Sequence, residues 1–264
     1  VDKFALNISD IDMDEDLQIV LPDEVKEAIE QEEDEEDSSS DSEASDSSDA
    51  NESAFETFTP IDNDKCAVTV KEITSDDEYA YKVKLLLENK TSDIKYTYMA
   101  DSVYVNNLKV NAYCYEDVSA GKKSNDEIYL YKDELEEYGI DDITDIEIDM
   151  TVQDFENWSE DPAAKETFHV YPQGKKNATV FEREAQKTDI VLADNDDITV
   201  IATGEYMDEG FGYTVDLYLV NKTDSVLQYS TEETSLNGFM SDCYFGTELK
   251  PGKSTFGRMY WYTD

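Results

Sequence analysis

One phrase of eleven residues occurs twice in this chain, and it constrains the fold more than any other feature. Tyr81 to Thr91 reads Tyr-Lys-Val-Lys-Leu-Leu-Leu-Glu-Asn-Lys-Thr, and Tyr213 to Thr223 reads Tyr-Thr-Val-Asp-Leu-Tyr-Leu-Val-Asn-Lys-Thr. In each copy apolar residues alternate (Val83, Leu85, Leu87; Val215, Leu217, Leu219) before a polar Asn-Lys-Thr. Alternation at period two followed by a polar triplet predicts a half-buried β-strand ending in a turn. The match spreads outward in order. Asp62-Asn63-Asp64 returns as Asp194-Asn195-Asp196, Val105-Asn106-Asn107 as Leu236-Asn237-Gly238, Gly121-Lys122 as Gly252-Lys253, and the stretch from Tyr129 to Asp133 as Tyr260 to Asp264.

The first copy continues past that match with Asp133-Glu134-Leu135-Glu136-Glu137-Tyr138-Gly139, one helical turn closed by a glycine C-cap. Strands at about 94–99, 102–105 and 127–131 precede that turn, and strands at about 143–151 and 166–171 follow it. Short strands with turn signals at regular intervals predict an all-β sandwich over 58–171. A connector, 172–190, leads to a second sandwich over 191–264. That unit stops before the helical turn and last two strands of the first, which predicts a fragment whose Met259 and Trp261 sit beside an uncovered strand edge.

Residues 1–57 are different. Residues 1–60 hold 22 acidic and 2 basic side chains. The Ser- and acid-rich run from Glu32 has too little apolar surface to offset chain entropy, so it reads as a disordered, self-repelling spacer. A short helix is expected near 22–31, opened by Pro22. Asp12, Asp14 and Asp16 have EF-hand spacing, but Leu17 replaces the required glycine and Asp23 the closing Glu.

The formal net charge of -44 disfavours nucleic acid and anionic lipid as partners. No apolar run is long enough to span a bilayer. Three cysteines carry no metal-ligand spacing: Cys66 shares a strand face with Val68 and Val70, while Cys114 and Cys243 occupy matching positions. The one histidine, His169, reads as a wet-face strand residue, and no nucleophile or phosphate-loop motif appears. These residues predict no enzyme and no required cofactor. The two Asp-Asn-Asp turns offer oxygen ligands for calcium through Asp62, Asp64, Asp194 and Asp196, although turn chemistry accounts for the same residues. In the late strands, Ile128 and Leu130 share one parity with Met259 and Trp261. The other parity carries Tyr129, Tyr131, Tyr260 and Tyr262, which predicts outward tyrosine pairs able to contact a peptide or glycan.

The ordered set of Leu86-Leu87-Glu88-Asn89-Lys90-Thr91, the Val-Asn-Asn or Leu-Asn-Gly turn, Ala120-Gly121-Lys122-Lys123-Ser124-Asn125-Asp126 and Leu135-Glu136-Glu137-Tyr138-Gly139-Ile140 resembles a repeated immunoglobulin-like module. Such modules occur in surface proteins and lipoproteins of clostridia and related Gram-positive gut bacteria. The resemblance covers about 60–264 and implies two tandem immunoglobulin-like sandwiches at the cell surface, with no chemistry attached. No lipobox cysteine accompanies it. The expected function is a non-catalytic extracellular module that spaces or presents a binding surface. The alternatives are a peptide- or glycan-binding module using the tyrosines, and an accessory domain of a larger secreted enzyme.

Overall fold

A computed structural model describes residues 55–262 except 76, 237 and 238. The spacer, the helix near 22–31 and the Asp12 segment lie outside the described residues. The fold is all-β, as the alternation predicts.

The first unit runs β1 (Phe58–Asp62), β2 (Cys66–Thr74), β3 (Ala80–Asn89), β4 (Tyr96–Val105), β5 (Leu108–Val110), β6 (Tyr115–Val118), β7 (Lys123–Tyr131), α1 (Lys132–Glu137), β8 (Ile146–Asp154) and β9 (Ala164–Val170). The second runs β10 (Ile190–Asp194), β11 (Ile198–Asp208), β12 (Gly212–Asn221), β13 (Leu227–Ser230), β14 (Ser235–Leu236), β15 (Phe239–Met240), β16 (Gly246–Leu249) and β17 (Ser254–Trp261).

In the first unit a four-stranded sheet, β1-β2-β3-β7, packs on the strands β5-β4-β8-β9, with β6 also on β4. Val68, Val83, Leu85, Leu87, Ile128 and Leu130 of one layer share a core with Tyr98, Val103, Ile148 and Met150 of the other. Alternate residues of a strand point to opposite faces, so the period-two pattern is sufficient to build this core. Cys66 sits in it fully buried beside Val68 and Val70, as its parity predicts. The turn at 139 is also as expected. Gly139 adopts φ +76°, Ile140 N–H donates to Leu135 O at 2.8 Å, and Leu135 and Ile140 are both buried.

Three boundaries differ from the sequence reading. Residues 94–99 and 102–105 form one strand, β4, because a bulge between Ala100 and Ser102 absorbs the break in alternation. β7 starts at Lys123, before the apolar residues, since Lys123 to Asn125 pair with Leu86 to Glu88. The edge of β17 is not bare. In the second unit, β10-β11-β12-β17 repeats the strand order of β1-β2-β3-β7, but β17 also pairs in parallel with β5 at Ser254–Leu108 and Thr255–Lys109. One nine-stranded sheet therefore runs through both units. Met259 and Trp261 are buried in the second core, which also holds Val215, Leu217, Leu219 and Leu249.

Candidate functional site

The Asn-Lys-Thr triplet fixes the same local structure twice. Asn89 is buried, and its amide donates to Ile94 O and Val118 O, both at 2.8 Å, while its carbonyl oxygen accepts from Thr91 N and Oγ1. Asn221 donates to Ser225 O at 2.8 Å and Leu249 O at 2.9 Å and accepts from Thr223 N and Oγ1. The lysine reaches back to the Asp-Asn-Asp turn. Lys90 Nζ meets Asp62 and Asn63 O, and Lys222 Nζ meets Asp194 Oδ1 at 2.6 Å and Asn195 O at 2.8 Å. Asn63 and Asn195 cap their own turns through the backbone N–H groups of Cys66 and Ile198. The carboxylates raised above as calcium ligands thus include two, Asp62 and Asp194, that already hold an ammonium cation. Asp64 and Asp196 are exposed, and no group of three His, Cys, Asp or Glu among the described residues is arranged for a metal.

The tyrosines face as their parity predicts. Tyr129, Tyr131 and Tyr262 are exposed and Tyr260 is half-buried, whereas Ile128, Leu130, Met259 and Trp261 are buried. Tyr129 and Tyr131 stack at 6.4 Å, with Lys82 over the Tyr129 ring. Tyr260 and Tyr262 join Tyr244 and Phe211 in one cluster, with Tyr260 5.0 Å from Phe211 and 5.7 Å from Tyr244.

The arrangement that sequence reasoning missed is the seam between the units. The β4–β5 hairpin turns through Asn106 (φ 50°) and Asn107 (φ 72°), left-handed positions that Asn tolerates. The Asn106 side chain accepts from Thr144 N, Thr144 Oγ1 and Asp145 N and donates to Asp142 O, so the hairpin is tied to the approach to β8. Asn107 then takes the second unit. Its carbonyl accepts from Ser254 N at 3.1 Å, and its Oδ1 accepts from Lys253 Nζ at 2.7 Å.

Lys253 is 7% exposed and Glu147 6%, and the two form an ion pair. Lys250 Nζ lies 2.7 Å from Glu147 Oε1 and 2.8 Å from Asp149 Oδ1. Both ammonium groups approach the Tyr104 ring. Burial pushes the Glu147 and Asp149 carboxyls up, but the lysine contacts, joined at Asp149 by hydrogen bonds from Ser102 and Thr167, outweigh it and hold both below the usual carboxylate range. Burial lowers Lys250, and the two carboxylates outweigh that and raise it. His169 lies at the margin, with Nδ1 2.8 Å from Asp145 Oδ1 and its ring stacked on Tyr171. The connector joins the seam as well. Phe181 N–H donates to Asn106 O at 2.7 Å, and its ring meets Tyr218 and Phe256 edge-on. Glu147 and Asp149 alternate with the buried Ile146, Ile148 and Met150 as the polar residues of any half-exposed strand do, so nothing in the sequence marks them for the seam.

Beside the seam a groove of about 1300 Å³ opens between α1, the connector and β17. A smaller hollow of about 390 Å³ adjoins it, sharing Asn111, Glu134, Tyr138, Phe256, Gly257 and Arg258. Tyr131 lies on the first and Tyr260 on the second, so one tyrosine of each pair borders the same continuous depression. Tyr138 stacks on Phe256 at 4.6 Å along its wall. Glu134 accepts from Asn111 N at 3.0 Å, and burial raises its carboxyl above the usual range. Gly257 lets Phe245 pack close against this wall, since a Cβ there would come within 2.9 Å of the ring and push it aside.

No protein-family model matches the chain, and a search of curated proteins finds no match. No helix among the described residues is long and apolar enough to cross a membrane.

Proposed function

We propose that this chain is a non-catalytic, extracellular module of a Gram-positive bacterial surface protein, made of two tandem immunoglobulin-like sandwiches that hold a binding surface away from the envelope. The single observation that carries the reading is the seam. A continuous sheet and the Glu147–Lys253 and Asp149–Lys250 pairs join the units where a flexible linker would let them swing. Stiffness of that kind suits a spacer.

Small-angle scattering on the full chain tests the mechanical part. One fixed distance distribution for the two units supports the spacer, and a broad distribution that varies with salt contradicts it. Labelling of intact source cells with a membrane-impermeant reagent tests location, and protection from the reagent contradicts a surface position.

A second reading, a peptide- or glycan-binding module, is favoured by the cluster in which exposed Phe211, Tyr244 and Tyr262 surround the half-buried Tyr260. Exposed rings supply contact area at low entropy cost. Binding on a glycan or peptide array that survives Tyr260→Ala and Tyr262→Ala unchanged would sink it.

A further inference from the structure

The groove beside the seam combines two features that arise independently. The first is an open strand edge. Tyr260 exchanges backbone hydrogen bonds with Tyr244 on the side of β17 away from β12, and Ser254 N–H donates to Asn107 on that same side. Residues of equal parity in a regular antiparallel strand point the same way, so the main-chain groups of Arg258 also face away from β12. The ladder on that side runs out after Thr255 and resumes only at Tyr260. Arg258 lies between, at the junction of the two hollows.

The second feature is charge. Glu136, Asp141, Glu182 and Glu184 line the groove, and none of them has an ion pair among the described residues. Its two arginines are already spent: Arg183 grips Asp189 through two bonds of 2.7 Å, and Arg258 Nε donates to Asp216 at 3.0 Å. Tyr131 and Tyr138 add aromatic surface beside these carboxylates. An unpaired strand edge takes an extended main chain, and the unpaired carboxylates of the larger groove, which Arg258 also lines, take cationic side chains.

We propose that this groove is a docking site for an extended peptide bearing Lys or Arg at alternate positions. Its main chain pairs with Arg258, and its basic side chains reach Glu136 on one wall and Glu182 and Glu184 on the other. The inference is independent of the spacer reading, and it places the binding surface between the tyrosine pairs instead of on them.

The test titrates the full chain with a short dye-labelled peptide alternating Lys with Thr and Val. A peptide of equal charge alternating Lys with Pro, and spermine, serve as comparisons. The groove variant is Glu136→Lys, Glu182→Lys and Glu184→Lys together, and all three positions are exposed. The control variant reverses the same number of charges in the acidic segment, at Glu32, Glu33 and Glu35. The expected result is affinity lowered about tenfold or more by the groove variant and little changed by the control, with the Pro-containing peptide and spermine binding at least about tenfold more weakly. The Arg258 amide resonance is expected to shift on binding. Equal losses in the two variants, equal affinity for spermine or the Pro peptide, or an unmoved Arg258 amide would each overturn the proposal, because each describes general attraction to an acidic chain.

Discussion

The two units are built on one plan and differ at one edge, and the difference separates what the fold needs from what the assembly needs. Asn89 and Asn221 make matching hydrogen bonds, and Tyr98 and Tyr229 each donate a hydroxyl to a carbonyl of the phrase strand, at Glu88 and Val220. These features serve the interior of each unit and occur in both. The edge strands diverge. β7 closes the four-stranded sheet with no further neighbour, and Lys122 and Asn125 near its start are exposed. Their counterparts in the second unit are Lys253, buried against Glu147, and Phe256, stacked on Tyr138. Residues that dock one unit onto the other appear only in the copy that docks.

The largest effects are expected where both units share a requirement. Asn89→Ala and Asn221→Ala each remove four hydrogen bonds and strand a buried carbonyl, and each is expected to destabilise by about 3 kcal/mol in urea unfolding. If only one of them matters, the equivalence of the two units fails. Glu147→Ala acts on the seam alone. It leaves Lys253 buried with the Asn107 amide oxygen and the Tyr104 ring as its remaining side-chain partners, at a cost of about 2–3 kcal/mol. Lys250 keeps Asp149 and reaches solvent, so the cost stays below that of a fully orphaned charge. Glu147→Ala is expected to split a joint unfolding transition in two, whereas the Asn variants are not.

Acid sharpens the same contrast. The Glu147 and Asp149 carboxyls are depressed in the folded state, so their stabilisation is fully present above their ordinary values of 4.5 and 3.8. It is lost as pH falls through the lower folded values. Lys250 has the opposite sign: its contribution is present below 10.5 and is lost as pH rises through its higher folded value. Coupling between the units, followed by urea titration at a series of pH values, is therefore expected to hold across the neutral range and weaken at both ends. Coupling that persists well below the ordinary carboxyl values would assign it to the β5–β17 pairing alone. The smallest effects are expected from Lys90→Met and Lys222→Met. These lysines pair with exposed Asp62 and Asp194, and both variants are expected to melt close to the parent protein. A large loss in either would give the turn lysine a structural weight that its exposure argues against.

The interior of each unit was largely legible in the sequence, because it is written in short-range signals. Alternation placed Val83, Leu85 and Leu87 inward, and the parity of Ile128 and Leu130 placed Tyr129 and Tyr131 outward. The helical turn near Leu135 and the glycine at 139 were readable for the same reason. The seam was not. Lys253 and Glu147 are 106 residues apart, and a lysine after a turn glycine looks the same at Lys122, where it is exposed, as at Lys253, where it is buried. The β4 bulge was misread as a strand break because one extra residue shifts the alternation without ending the strand. The groove was beyond reach, since its walls come from α1, the connector and β17, which only the folded seam brings together.

The seam is expected to make one cooperative body of the two units, and the chain carries its own reporters. It has two tryptophans, Trp158 in the first unit and Trp261 in the core of the second. Urea unfolding followed by fluorescence of Trp158→Phe and Trp261→Phe reads each unit separately. The account predicts a single shared midpoint by both probes, and separate midpoints once Glu147→Ala is added. Separate midpoints with the seam intact would contradict it.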